Sequence, residues 1–467
     1  MTDTQVDVAI IGGGMVGASL AIGLAGTGVS TLLVEGTPPG SQSQPSFDDR
    51  TTALGNSSRR IFQGLGVWDR LAAEAAAIRT IHVSDAGRFG FARLVASEQG
   101  IDAFGYVISN RVIGAALWEK LRDARGVLLR VPARPEQVEI GTDAISFRIG
   151  DESVSARLVV AADGAHSVVR SAAGIEADVE DYDQIAVVAN IAADRPHDGT
   201  AYERFTESGP LAVLPLRDGS YGVVWTCTPA RAADVLSFDN NTYLRELQER
   251  FGWRAGRFVR AGVRASYPLK LTRAATTVAA RTVLIGNAAQ ALHPVAGQGF
   301  NLGLRDAAML AEVIVGAFGD GRRDVGLAPG VAPGTAPGTR PSAGAADVGS
   351  PAGASGASPT AGPVGDVTRG AGHAGASGAA IGHGVDVGSP ELLRQFAAWR
   401  ETDRRGVVGF TDGLVKMFAS TRPGVGILRN LGLLLFDLTP PAKSTLSRVS
   451  AGFGGPTPRL ARGLRLT

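Results

Sequence analysis

The sequence predicts an α/β fold: a Rossmann-like domain for a dinucleotide, interleaved with a mostly antiparallel β-sheet domain for a second ligand, and followed by a helical C-terminal extension. Three observations predict it. First, the apolar run Val6–Ile11 leads into Gly12, Gly14 and Gly17 at the G-x-G-x-x-G spacing, then a helix-compatible run, then a second apolar strand ending on Glu35. Second, two later segments repeat a strand that stops at a small-residue turn, at Ala162-Asp163-Gly164 and at Gly286-Asn287-Ala288-Ala289. Third, short strands with turn signals dominate between them, from Ile185 to about Pro268.

Each residue of the first motif has a physical reason. Gly12 permits the tight turn from strand to helix, Gly14 leaves room for a pyrophosphate against the backbone, and Gly17 lets helix and strand pack closely. The helix over Met15 to Ala25 points its first N–H groups at the phosphates. Glu35 stands about 20 residues after the glycines, where a carboxylate bonds ribose hydroxyls. An acid there disfavours a 2′-phosphate, which points to NAD or FAD rather than NADP.

The remaining elements follow in order. Gly36 to Asp49 is loop-like, and a helical pattern through Arg59 and Arg60 stops at Gly64 and Gly66. Ile78 to Val107 alternates, as in Thr80–Ser84, and leaves the nucleotide domain; a helix over Val112–Arg122 returns to it. Strands are predicted at Val127–Val131, Ala144–Ile149 and Ser153–Ala162, then at Ile185–Ile191, Leu211–Leu216 and Tyr221–Thr226. Thr282–Ile285 is a buried strand again, with a long helix from Leu304 to Phe318. The nucleotide domain is therefore expected over 1–77, 108–175 and 276–325, and the second sheet over 78–107 and 176–275. Residues 326–389 are rich in Gly, Ala, Pro and Ser and nearly free of large apolar side chains, so they are expected to be a disordered insertion. Ser389 as N-cap, Pro390 and Glu391 then start a helix over Leu392–Arg404, the first of the C-terminal helices expected over 390–467. The apolar stretch Gly424–Phe436, near Arg422 and Arg429, suits either an interfacial helix or a core helix.

Composition removes several function classes. The formal net charge is +2 with acids and bases interspersed, which leaves no basic footprint for nucleic acid. One cysteine, Cys227, leaves no internal disulfide and no cysteine metal cluster. The six histidines, at 82, 166, 197, 293, 373 and 383, show no ligand spacing, so no metal is expected. There is no basic N-terminal stretch, and no apolar run approaches the roughly 20 residues of a membrane span. The expectation is a cytoplasmic protein.

The three turns together resemble the class A flavoprotein aromatic monooxygenases, which share the p-hydroxybenzoate hydroxylase-like fold. Asp163-Gly164 matches their second motif. Their third motif usually reads Gly-Asp, and Asn287 departs from it. The run GNAAQALHPVAGQGFNLGLRDAAMLAE, from Gly286 to Glu312, is similar to the ubiquinone-biosynthesis hydroxylases, and most of all to the branch that hydroxylates a polyprenyl-methoxyphenol. Phe410–Val415 resembles that branch too.

The resemblance implies FAD as cofactor and NAD(P)H and O2 as co-substrates, with a flavin C4a-hydroperoxide hydroxylating a polyprenylated phenol. It also implies a ubiquinone-biosynthesis complex or peripheral contact with the inner face of the membrane, because such a chain is insoluble in water. Gly12, Gly14, Gly17, Glu35, Asp163, Gly164 and Asn287 would bind FAD, and Gly297, Gly299 and Asn301 would lie along its ring system. Arg50 and Arg111 either flank FAD or are surface arginines. His293, Pro294 and Gln298 would border the ring-binding pocket, although His293 reads equally as a structural histidine. No general base is evident. Three rivals remain: a hydroxylase for another ring position, a non-oxygenating flavoprotein reductase, and a flavin-free scaffold.

Overall fold

The computed structural model describes residues 3–41, 50–293, 297–324, 385–419, 439, 452 and 457–466. They fall almost wholly in one compact unit, Met1–Asp320 with Val385–Thr467; of the second unit, Gly321–Gly384, the described residues are 321–324, the end of a helix.

Among the described residues an eight-stranded sheet carries the first motif. Five of its strands are parallel, in the order Thr282–Leu284, Glu152–Ala161, Asp3–Ile11, Thr31–Val34, Val127–Arg130. Sandwiched strands need apolar side chains on both faces, and Thr31–Val34 is buried along its whole length. One face packs on the helices Met15–Leu24, Asn110–Arg122 and Gln298–Asp324 through Leu20, Leu24, Leu117, Leu304 and Leu310. The other packs under the hairpin Glu136–Ile149 through Ile145 and Phe147. The register sets the carboxyl ends level: Ile11 lies opposite Val34 and Ala161, and Ala161 opposite Leu284. All three small-residue turns therefore open on one edge of the sheet.

Among the described residues the second sheet has nine strands, antiparallel except where Thr200–Thr206 runs parallel to Thr80–Asp85. Its back face is covered by the helices Pro229–Ser237 and Asn240–Phe251 around the fully buried Trp225 and Tyr243. Its front face meets the nucleotide domain, where Ala201, Leu214 and Ile81 pack on Ala76, Ile78 and Val107 of a small three-stranded sheet. The interleaved α/β architecture is the one expected. The third-motif segment also crosses over, since Gln290–Ala291 pairs with Ala265–Ala274 of the second sheet.

Three boundaries differ from expectation. The insertion expected over 326–389 does not reach Ser389: Asp386 forms a paired hydrogen bond with Arg281 (2.5 and 2.8 Å), and Val387 is fully buried in the nucleotide-domain core. Its composition continues past the point where tertiary partners exist. The helix expected to end at Arg404 runs from Pro390 to Ala419, held by buried ion pairs to the helix Gln298–Asp324. The last described residues return to the nucleotide domain, with Leu460 and Ala461 buried in its core. Pro294 and the stretch Gly424–Phe436 lie outside the described residues.

Candidate active site

The first turn is locked by its acid. Glu35, just past the end of its strand, accepts hydrogen bonds from Gly13 N (2.6 Å) and Thr37 N (2.8 Å). Gly12 has φ +106°, and a Cβ there would stand 2.4 Å from the Ala162 carbonyl oxygen. A Cβ on Gly17 would stand 2.0 Å from the Gly12 carbonyl oxygen. Gly14 precedes the helix Met15–Leu24, which has no side-chain cap and no acid in its first turn. The positive end of its dipole thus meets no acidic side chain of its own first turn and suits an anion.

Gly12 touches the second turn at Ala162 and Asp163. Asp163 Oδ2 accepts from Val168 N (2.8 Å), capping a short helix, and burial raises its carboxyl above the usual range. Oδ1 is buried without a hydrogen-bond partner. Gly164, at φ +88°, has open space where a Cβ would stand.

At the third turn Gly286 has φ +58° and lies against Val16 of the motif helix, while Gly303 of the long helix packs on its Cα. Asp306 holds this turn: Oδ2 accepts from Gly286 N (3.1 Å) and Gln290 Nε2 (2.9 Å), and Oδ1 from Arg400 Nε (2.7 Å). Asn287 is exposed.

The glycines beyond sit beside the small sheet. Gly297, at φ +60°, faces Ala53, and Gly299 is open apart from ordinary contact with Leu292. Asn301 has all its bonds inside the protein: its amide donates to Ala53 O and Gly297 O, and its oxygen accepts from Gly55 N and Ser58 Oγ. It therefore shapes the glycine turn from beneath. Gln298 is buried at the start of the same helix. His293 is 1% exposed, with Nε2 3.2 Å from Gln184 Oε1 and an edge contact to Tyr182. Burial lowers its pKa to about 4, so it is neutral at physiological pH. Tyr182 donates to Asp412 (3.1 Å), which ties the Phe410–Val415 stretch to the second sheet. Arg50 stacks on Tyr267 at 4.5 Å, where the two domains meet, and Arg111 is exposed on the first turn of its helix.

Comparison with known proteins agrees. A family described as "FAD binding domain" matches residues 5–326. The chain is 32% identical to "Ubiquinone hydroxylase UbiL" of Rhodospirillum rubrum, over 99% of this chain and 94% of that one. It is 34% identical to "3-demethoxyubiquinol 3-hydroxylase" of Escherichia coli, over 68% of this chain and 81% of that one. The fold is that of p-nitrophenol 4-monooxygenase PnpA from Pseudomonas putida, with a TM-score of 0.68 at 18% identity, covering 97% of this chain and 99% of that one. The chain belongs to the FAD-dependent ubiquinone-hydroxylase family.

The residues present fit FAD. The glycine turns leave backbone where side chains would stand, the motif helix opens uncapped, and Asp163 holds one buried oxygen with nothing to bond inside the protein. The sequence reading brought the members of all three turns together correctly in space. It passed over Asp306, although a charged pair, Arg305-Asp306, inside an otherwise apolar helix already demands buried partners. It also passed over Gln184 and Tyr182, because nothing local links a strand residue to His293 more than 100 positions away.

Proposed function

We propose that this enzyme hydroxylates the ring of a polyprenyl-methoxyphenol in ubiquinone biosynthesis, using NAD(P)H and O2. The observation that carries the reading is similarity to a ubiquinone hydroxylase over nearly the full length of both chains. FAD, once reduced, supplies with O2 the oxygen atom that enters the ring.

The protein's own residues bind, orient and shield. Gly12, Gly14 and Gly17 with the uncapped helix would take the pyrophosphate, and Glu35 the ribose hydroxyls. Asp163 Oδ1 and the Asn287 amide stand free for the rest of the cofactor. Gly297 and Gly299 would let the ring system lie against backbone, whose N–H dipoles favour negative charge on it. Arg50 and Arg111 would flank the cofactor. His293 and Gln298 would close one end of the pocket, with His293 neutral and hydrogen-bonded, a wall that excludes water without adding charge.

No helix among the described residues is long and apolar enough to cross a membrane. A polyprenyl chain, at about 0.8 kcal/mol per buried CH₂, would be met at a membrane surface or within a biosynthetic complex.

The test is mass-spectrometric profiling of quinone intermediates in a strain lacking the gene. Accumulated polyprenyl-methoxyphenol supports the assignment. Accumulated demethoxy-ubiquinol moves it to the ring position of the Escherichia coli relative, a second reading that the 34% identity favours. An unchanged quinone profile rejects both.

A further inference from the structure

We infer that Glu203 is the general base that takes the phenolic proton of the substrate; this rests on the functional reading above. Glu203 lies in the strand Thr200–Thr206 of the second sheet. Its neighbours Tyr202 and Arg204 point to the back face, where Tyr202 packs on Phe251 and Arg204 donates to the Arg250 carbonyl. By alternation Glu203 stands on the front face, toward the nucleotide domain. The register places Val83 on one side of it and Ala212, Val224 and Val188 in succession on the other. All four are half-buried, and none belongs to a hydrophobic core formed among the described residues, whereas the next row, Ile81, Ala201 and Leu214, is packed against the nucleotide domain. This is an apolar strip with one carboxylate in it. Two residues to one side of this row Thr51 of the nucleotide domain approaches Gly222, and two residues to the other side Arg50 of that domain stacks on Tyr267.

A carboxylate in an apolar strip is costly unless a partner or a function retains it. Among the described residues the Glu203 carboxylate has no hydrogen bond or ion pair, and the residue as a whole is half-buried. The charged groups around it are engaged elsewhere. Asp85, on the same face, pairs with Arg88 at 3.5 Å. His82 lies on the back face against Tyr202, in register with Arg93. The strand Gly209–Pro215 brings no titratable group. On the long C-terminal helix Asp412 and Lys416 face Tyr182 and Glu180. Burial alone therefore raises the Glu203 carboxyl to about 7, where a base is half ionised at working pH.

In the step itself the phenolic O–H breaks, the proton moves to a Glu203 carboxylate oxygen, and the bonding pair stays on the phenolate oxygen. That charge enriches the ring carbons ortho and para to it, the positions open to hydroxylation. The ring carbon that gains oxygen then gives up its own proton to solvent, the C–H bonding pair restores the aromatic ring, the proton on Glu203 returns to the phenolic oxygen, and Glu203 is regenerated.

The test compares FAD-loaded wild type, E203Q and E203D with a 2-methoxyphenol bearing one short prenyl chain. The pH dependence of kcat, the KM and the anaerobic rate of flavin reduction are measured. Wild-type kcat should fall as pH drops through about 7. E203Q should lose about 100-fold in kcat together with that acid limb, keep KM and flavin reduction, and leave E203D intermediate. A ring-fluorinated analogue that is already phenolate at the assay pH needs no base, so the E203Q defect should shrink with it. An E203Q enzyme with the wild-type kcat and acid limb, or an equal defect with both phenols, overturns the proposal alone. A wild type that hydroxylates no phenol overturns the functional reading and this proposal with it.

Discussion

Asp306 offers the sharpest test of how the third turn is held. It is 4% exposed and accepts three hydrogen bonds, two from the turn and one from Arg400. In Asp306→Asn the single remaining acceptor oxygen serves either Arg400 or the turn. Removing one partner of a buried ion pair costs about 3–5 kcal/mol. Arg400 keeps Asp403 at 2.5 Å, which places the loss near about 3 kcal/mol. Where that oxygen stays with Arg400, Gly286 N and Gln290 Nε2 lose their acceptor at about 1 kcal/mol each, and where it stays with the turn they lose nothing. The sum, about 3–5 kcal/mol, is a large share of the roughly 5–15 kcal/mol by which proteins are stable. Asp403→Asn is the matched control, because Asp403 bonds Arg305 and Arg400 but no part of the turn. Thermal melting and FAD titration are measured on both. Both variants should melt several degrees lower, and Asp306→Asn alone should bind FAD at least tenfold more weakly at temperatures where it is folded. An unchanged melting temperature refutes the ion-pair argument. Equal FAD affinities in the two variants refute the claim that Asp306 holds the cofactor turn.

Gly17→Ala drives a Cβ toward the Gly12 carbonyl and should strip FAD on purification, whereas Gly316→Ala, on an exposed helix face with open space, should raise stability by about 1 kcal/mol in urea titration. His293 has its pKa lowered from 6.5 to about 4, so the unfolded chain takes the proton first as pH falls. The stability is present above about pH 6.5 and is lost toward about pH 4, with about 2 kcal/mol lost between pH 8 and pH 5. His293→Phe should flatten that slope in urea titrations at the two pH values. Replacing 326–384 with a short Gly/Ser linker should preserve FAD content and turnover, while a linker running to Ser389 should destabilise the fold, because it removes Asp386 from Arg281 and Val387 from the core.

The candidate site was legible where chemistry depends on local sequence. A strand, a glycine turn and a helix are contiguous, so Gly12, Gly14, Gly17 and Glu35 announce themselves, as do Asp163-Gly164 and the Gly286–Asn301 run. Local pattern assigned contact roles less well. Asn301 reads as a cofactor ligand, and in the fold its side chain is saturated by four protein partners. Glu203 sits in Tyr-Glu-Arg-Phe-Thr, an alternating strand that looks like any solvated strand edge until its sheet neighbours are known.

By itself the sequence determined the α/β class, the three turns, the FAD family and the tract of low apolar content, because each rests on contiguous residue types with fixed backbone demands. Tertiary structure alone decided the rest. It set the strand carboxyl ends level, closed Asp306 and Arg400 across two helices 94 residues apart, brought His293 onto Gln184, and laid Leu460 back on the nucleotide domain. Burial and long-range register are properties of the packed chain. They determine which carboxyl is pushed above its usual range, which histidine stays uncharged and which face of a strand meets the other domain, and no window of neighbouring residues contains them.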